Sequence, residues 1–159
     1  MNALIRPAEE QDADVACEVL LRSITECCSE DHADDPIRLA PWLENKTPEN
    51  LRHWIGDPGS HAFVAEADGG IVGVGMMLST GEITLCYLVP EVRFTGVGKA
   101  LLAELESKAR ELGLRQLSLN STQTASAFYI RNGFEPAGTA DSWHGIECYP
   151  MVKVLGARS

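Results

Sequence analysis

Arg93, Gly96, Gly98 and Lys99 stand between an apolar strand and an amphipathic helix in the order Arg-x-x-Gly-x-Gly-Lys, a spacing suited to phosphate binding. The strand, Ile83 to Val89, stops at Pro90, and the helix repeats apolar residues at Val97, Leu101, Leu105, Ala109 and Leu112. Two glycines at a helix start let the backbone turn tightly and leave its first N–H groups free. With the positive end of the helix dipole, those donors form a site for a phosphate or pyrophosphate. The whole turn, Arg93, Phe94, Thr95, Gly96, Val97, Gly98 and Lys99, is therefore predicted to hold an anionic ligand. Two nucleotide motifs fail on spacing. A Walker A loop would need glycine where Arg93 stands and a hydroxyl where Ala100 stands, and a Rossmann fingerprint would need a third glycine at Leu101.

Other side chains offer proton or nucleophile chemistry. Glu82 opens the same strand and shares a face with Thr84, Cys86 and Leu88. A carboxylate there can take a proton through water; a solvated strand end is the plainer alternative. His61 and His144 are further candidate bases, neither favoured over the other. Cys86, inside an apolar strand with no histidine beside it in sequence, reads as packing and not as a nucleophile. The run Asp31-His32-Ala33-Asp34-Asp35 has metal-ligating residue types, but as a charged stretch before Pro36 it is predicted to be a solvated loop, and no metal is expected. The sequon Asn120-Ser121-Thr122 falls at the end of a predicted core strand and is set aside.

The chain has 159 residues and 45% hydrophobic content, enough for a single domain, residues 1–159, with one core. Cys17, Cys27, Cys28, Cys86 and Cys148 are odd in number and lack C-x-x-C spacing, which argues against a disulfide framework or a zinc site and for a reducing compartment. Arg6, Glu9 and Glu10 precede any apolar run, so no signal peptide is expected, and the apolar stretch Ile71 to Leu78 is too short to span a bilayer. A cytoplasmic protein away from membranes is the expectation. A net charge of −10 repels a phosphate backbone and so opposes nucleic-acid binding, and it mildly favours a cationic partner.

These residues need elements to position them. Ala3 to Arg6 reads as a strand ended by Pro7, and Asp12 as the cap of a helix carrying Val15, Val19, Leu20, Ile24 and Cys27 on one face. Ser29 to Pro36 should end it. Thr47-Pro48 opens a short helix to Ile55. His61–Ala67 and Ile71–Ser79 are strands joined by a hairpin at Asp68-Gly69-Gly70. The phosphate-turn strand and helix follow, the helix closing at Gly113. Gln116–Ser121 is a strand, and a short helix then ends at Asn132-Gly133. Phe134–Ala140 and Ile146–Leu155 close the chain as an antiparallel pair. The predicted order is β-α-α-β-β-β-α-β-α-β-β.

The stretch Leu88-Val89-Pro90-Glu91-Val92-Arg93-Phe94-Thr95-Gly96-Val97-Gly98-Lys99 resembles the acyl-CoA loop, Q/R-x-x-G-x-G/A, of the GNAT (GCN5-related N-acetyltransferase) superfamily. A second block, Leu117 to Ser121 and then Phe128-Tyr129 through Gly133-Phe134, resembles that family's fifth strand and fourth helix; Thr122 stands where many relatives have asparagine. The resemblance implies an α/β fold with a mixed central sheet of about seven strands flanked by four helices, in which strands four and five splay apart. It also implies acetyl-CoA as co-substrate, with Leu88 and Val89 pairing to pantetheine through their backbones, and Arg93, Lys99, Asn120 and Arg131 adding contacts to the cofactor. Tyr129 matches the position that often protonates the leaving thiolate. The acceptor pocket is implied to lie among residues 27–54 and 139–149, where Trp42, Trp54, Trp143 and Tyr149 offer surfaces for an organic cation. The expected activity is acetyl transfer to a primary amine by direct attack in a ternary complex. A non-catalytic acyl-CoA sensor is the alternative, and the resemblance leaves room for a homodimer.

Overall fold

Continuous buried runs at residues 63–65 and 73–77, alternation of buried and exposed residues at 116–121, and a 3.6-residue apolar stripe along the long helix produce two antiparallel sheets with helices packed on them. The computed structural model describes residues 3–156. Strands β1 (Leu4–Pro7), β2 (Ser60–Ala67), β3 (Gly70–Leu78) and β4 (Ile83–Leu88) form the first sheet in that order. Strand β5 (Gln116–Ser121) pairs with β8 (Ile146–Val154), which also holds the short strands β6 (Glu135–Pro136) and β7 (Asp141–Trp143). Six α-helices complete the order: α1 (Ala13–Arg22), α2 (Ser29–His32), α3 (Pro36–Glu44), α4 (Pro48–Gly56), α5 (Val97–Glu111) and α6 (Gln123–Arg131). No described helix is long and apolar enough to cross a membrane.

Gly73 and Gly75 of β3 face Leu101 and Leu105 of α5; a Cβ on Gly73 would stand 3.0 Å from Leu101 Cδ1. The intervening Val74 and Met76 point to the opposite face, where α1 packs on β3. The β2–β3 turn has φ of 52° at Asp68 and 82° at Gly69, the two-residue geometry that the right-handed twist of a hairpin favours. At the other end of the first sheet, the Arg6 guanidinium bonds Asp12 at 2.8 Å and Glu66 at 2.7 Å, tying the entry of α1 to the sheet. Asp12 therefore serves as an anchor and makes no side-chain cap to α1.

Three expectations are corrected. The run from Asp31 to Asp35 is a solvated turn only from Ala33 onward: His32 is fully buried, Asp31 is nearly so, and both belong to α2, which follows α1 and a π-helical turn (Ser23–Cys27) after Cys28. His32 Nδ1 accepts the Asp34 N–H at 3.0 Å, so Nε2 carries the proton and donates to the Ile24 carbonyl at 2.9 Å. Helix α3, capped by Asp35 over Ile37, has no counterpart in the predicted order. Only Glu135–Pro136 of the predicted 134–140 strand pairs with β8; a separate strand, β7, follows. The strand total is eight and the helix total six among the described residues, the additions being these short pieces.

Among the described residues the two sheets pair just before β4. Glu82 forms an isolated parallel bridge with Ser118, and Ser118 N–H donates to Gly81 O at 3.0 Å. Beyond that bridge no described residues pair β4 with β5, and the gap between them is a cavity.

Candidate active site

The gap between β4 and β5 is a cavity of about 660 Å³. Its walls come from β4 (Ile83 to Leu88), β5 (Leu119 to Ser121), the α5 entry, α6 and the π-helical turn. Antiparallel pairing dictates which groups of β4 face it. Val89 N–H donates to Val72 O at 2.9 Å, so Val89, Tyr87 and Leu85 turn their backbone groups toward β3. Leu88 and Cys86 then turn theirs toward the cavity, where no described strand pairs with them beyond the Glu82–Ser118 bridge. Leu88 lines the cavity. Val89 does not: it is buried and its N–H is taken.

The turn before α5 is held by Thr95, whose hydroxyl donates to Val92 O at 2.5 Å, and by Gly96 in the left-handed region at φ 93°. Side chains cap α3, α4 and α6, yet among the described residues none caps α5. Its first intrahelical bond runs from Ala100 N–H to Gly96 O at 3.0 Å, which leaves the amides of Val97, Gly98 and Lys99 without helical acceptors. Gly98 is required for a different reason than Gly96: a Cβ there would lie 3.0 Å from Phe128 Cζ. Arg93, Lys99 and Arg131 also line the cavity, and among the described residues none makes an ion pair, whereas Arg6, Arg22, Arg38, Arg52 and Arg110 all do. Arg93 lies 5.0 Å from the ring centre of Phe94, itself 86% exposed at φ 64°. Thr95 and Val97 hold the turn without lining the cavity; Asn120 lines it from β5.

Tyr129 reaches the cavity from α6, its ring packed edge-on against Phe128 at 5.2 Å and Phe134 at 5.5 Å. Burial, and then the neighbouring Cys86, push its phenol well above the ordinary range, so the group holds its proton. Burial likewise raises the Cys86 thiol to about 11, against the pull of its bond with Tyr129, and burial followed by Asp31's charge raises Cys28 to about 12. Neither thiol is a nucleophile at neutral pH. Glu82, His61 and His144 are not brought into the cavity. Glu82 is exposed at the bridge that closes the gap, His61 bonds Ser79 at 3.0 Å on β2, and His144 sits in the β7–β8 turn at φ 49°. The aromatic acceptor wall is likewise absent from the lining: Trp42 is a core residue whose indole N–H donates to the Tyr87 hydroxyl at 3.4 Å.

These buried acids make alkaline stability a test of the packing. A folded state that holds protons more tightly than the unfolded chain is fully stable below the unfolded values, near 9 for the thiols, and weakens as pH climbs toward 11 to 12. Each thiol removes up to about 1.4 kcal/mol per pH unit across that window. The urea midpoint is expected to be level from pH 7 to 8.5 and to fall steeply by pH 10.5; a level midpoint there means that these thiols are solvated.

The chain matches the family described as Acetyltransferase (GNAT) domain over residues 25–155. An amino-acid acetyltransferase of Azotobacter vinelandii is 35% identical over 108 residues, 65% of this chain and 24% of that protein. The chain thus spans about a quarter of the length of that curated relative. Among solved structures, a GCN5-related N-acetyltransferase from Rhodopseudomonas palustris superposes with a TM-score of 0.86 at 21% identity, covering 98% of this chain and 97% of that one. The PaiA N-acetyltransferase from Thermoplasma acidophilum, solved in complex with coenzyme A, gives 0.81 at 24% identity, covering 98% and 100%.

Proposed function

Because the chain belongs to the GNAT acetyltransferase family, we propose that it is an acetyl-CoA-dependent N-acetyltransferase acting on a primary amine. The observation that carries this reading is the start of α5, uncapped among the described residues, with Arg93, Lys99 and Arg131, which make no ion pair among those residues, around the same cavity that holds Tyr129 and the edge of β4. The amides of Gly98 and Lys99 and the three cations hold the diphosphate and 3′-phosphate. Pantetheine runs along β4, pairing with Leu88 and Cys86 as an added strand would, and an N–H on that edge polarises the thioester carbonyl. The neutral amine attacks the carbonyl carbon, the C–S bond breaks, and Tyr129 gives its proton to the departing sulfur. The amine's surplus proton leaves to water, and water returns a proton to the Tyr129 phenolate.

Five free cysteines suit a reducing cytoplasm. The sensor reading retains one supporting observation, since the cavity lining contains neither carboxylate nor imidazole. Thiol release from acetyl-CoA across polyamines, amino acids, aminoglycosides and peptides separates the two. Amine-dependent release is expected; tight cofactor binding with no release on any amine would mean a sensor.

A further inference from the structure

A carboxylate missing from the cavity lining stands one hydrogen bond away from it. Asp31, on α2, is 7% exposed, and its Oδ1 accepts the N–H of Thr124 at 3.1 Å. Its Oδ2 has no partner, and neither has Thr124 Oγ1; they are the only two buried side-chain polar atoms so placed among the described residues. Thr124 lines the cavity one turn before Phe128, and α2 packs against both α6 and β8. Asp31 makes no ion pair among the described residues, although Arg22 and Arg38, on the helices either side, are both engaged by other carboxylates.

A buried carboxylate with one oxygen unused calls for a donor, and a cationic one satisfies its charge as well. The neighbouring threonine oxygen accepts too. A group that donates to both atoms and carries positive charge is an ammonium. We infer that Asp31 Oδ2 and Thr124 Oγ1 form the subsite that receives the acceptor amine in its protonated form, at the cavity that Tyr129 also lines and ahead of its loss of a proton. The inference rests on the acetyltransferase reading and adds the acceptor's docking point. Both atoms are closed to solvent, so the amine reaches them as Thr124 turns about its Cα–Cβ bond.

Asp31→Asn tests the subsite cleanly. The amide keeps an oxygen for the Thr124 N–H and removes the negative charge, so the fold retains its bond. The melting temperature is expected to hold or rise, while KM for the best amine rises roughly 10- to 100-fold with KM for acetyl-CoA unchanged. Thr124→Val is expected to raise the amine KM by a smaller factor. A wild-type amine KM in the Asp31→Asn protein overturns the subsite and leaves the acetyltransferase reading standing. If no amine turns over in the wild type, that reading fails instead, and calorimetry of the CoA-loaded protein with 1,5-diaminopentane decides the subsite alone. Binding lost on Asp31→Asn supports it; equal binding, or none in the wild type, overturns it.

Discussion

Tyr129→Phe is expected to lower amine-dependent thiol release by roughly 10²- to 10⁴-fold with little change in acetyl-CoA affinity. The hydroxyl is the only part of the side chain that changes. The ring keeps its edge-on contacts with Phe128 and Phe134, so packing and stability should hold. The phenol is a proton donor at any pH near neutrality, because burial keeps it protonated well past that range. The proton must pass as the C–S bond breaks, because a free thiolate of pKa ~8.5 is a weaker base than the phenolate and does not draw it unaided. The wild-type rate should therefore show no alkaline decline from Tyr129 below pH 10. A variant that releases CoA at the wild-type rate would show that water, and not Tyr129, protonates the sulfur.

The parts of the fold legible in the sequence are those whose causes are local. Gln116–Ser121 and the hairpin at Asp68-Gly69 follow from alternation and from glycine's tolerance of positive φ, and both stand where the sequence predicts them. The phosphate turn is a local object too: a strand stopped by Pro90, then a glycine at φ 93° opening α5. Its strong reading depends on the second block, Phe128 to Phe134, since an isolated Gly-x-Gly is common.

What the sequence hides depends on partners far along the chain. The acidic run after Cys28 has the composition of a loop, but His32 is drawn inside by the Ile24 carbonyl, the Asp34 amide and the Trp42 ring, set edge-on with its centre 6.0 Å away. Once α2 is buried, Asp31 arrives against α6, 93 residues on. Alternation places Glu82 on the face of Thr84 and Cys86, yet only the tertiary bridge to Ser118 reveals that the strands are still paired there and separate afterwards. Val89 shows the same limit. Its period-two partner set is plain from the sequence, but which set faces the cleft is fixed by the β3 register, and that register gives the cleft to Leu88. Two orphaned atoms, the clue to the acceptor subsite, have no signature in composition at all.

Gly98→Val should damage both stability and cofactor binding, and the two glycines of the turn should differ in how the damage is repaired. At Gly98 a Cβ meets Phe128 Cζ at 3.0 Å, Phe128 Cε1 at 3.2 Å and Leu88 Cδ1 at 3.4 Å. A branched side chain must push α5 away from α6, which costs about 1–3 kcal/mol of overpacking and moves the amides of Gly98 and Lys99 off the phosphate. Acetyl-CoA affinity is expected to fall roughly 10- to 100-fold as those charge-assisted bonds are lost. Gly96 is another case: nothing lies within 4 Å of its would-be Cβ, and only its φ of 93° excludes other residues. Gly96→Val therefore suffers backbone strain of about 1–2 kcal/mol with no steric partner to remove. Adding Phe128→Ala should restore much of the cofactor affinity in the Gly98 variant and none in the Gly96 variant, a coupling that a double-mutant cycle reads directly by calorimetry. Equal rescue at both positions, or at neither, would mean that the α5–α6 approach does not set the position of the phosphate-binding amides.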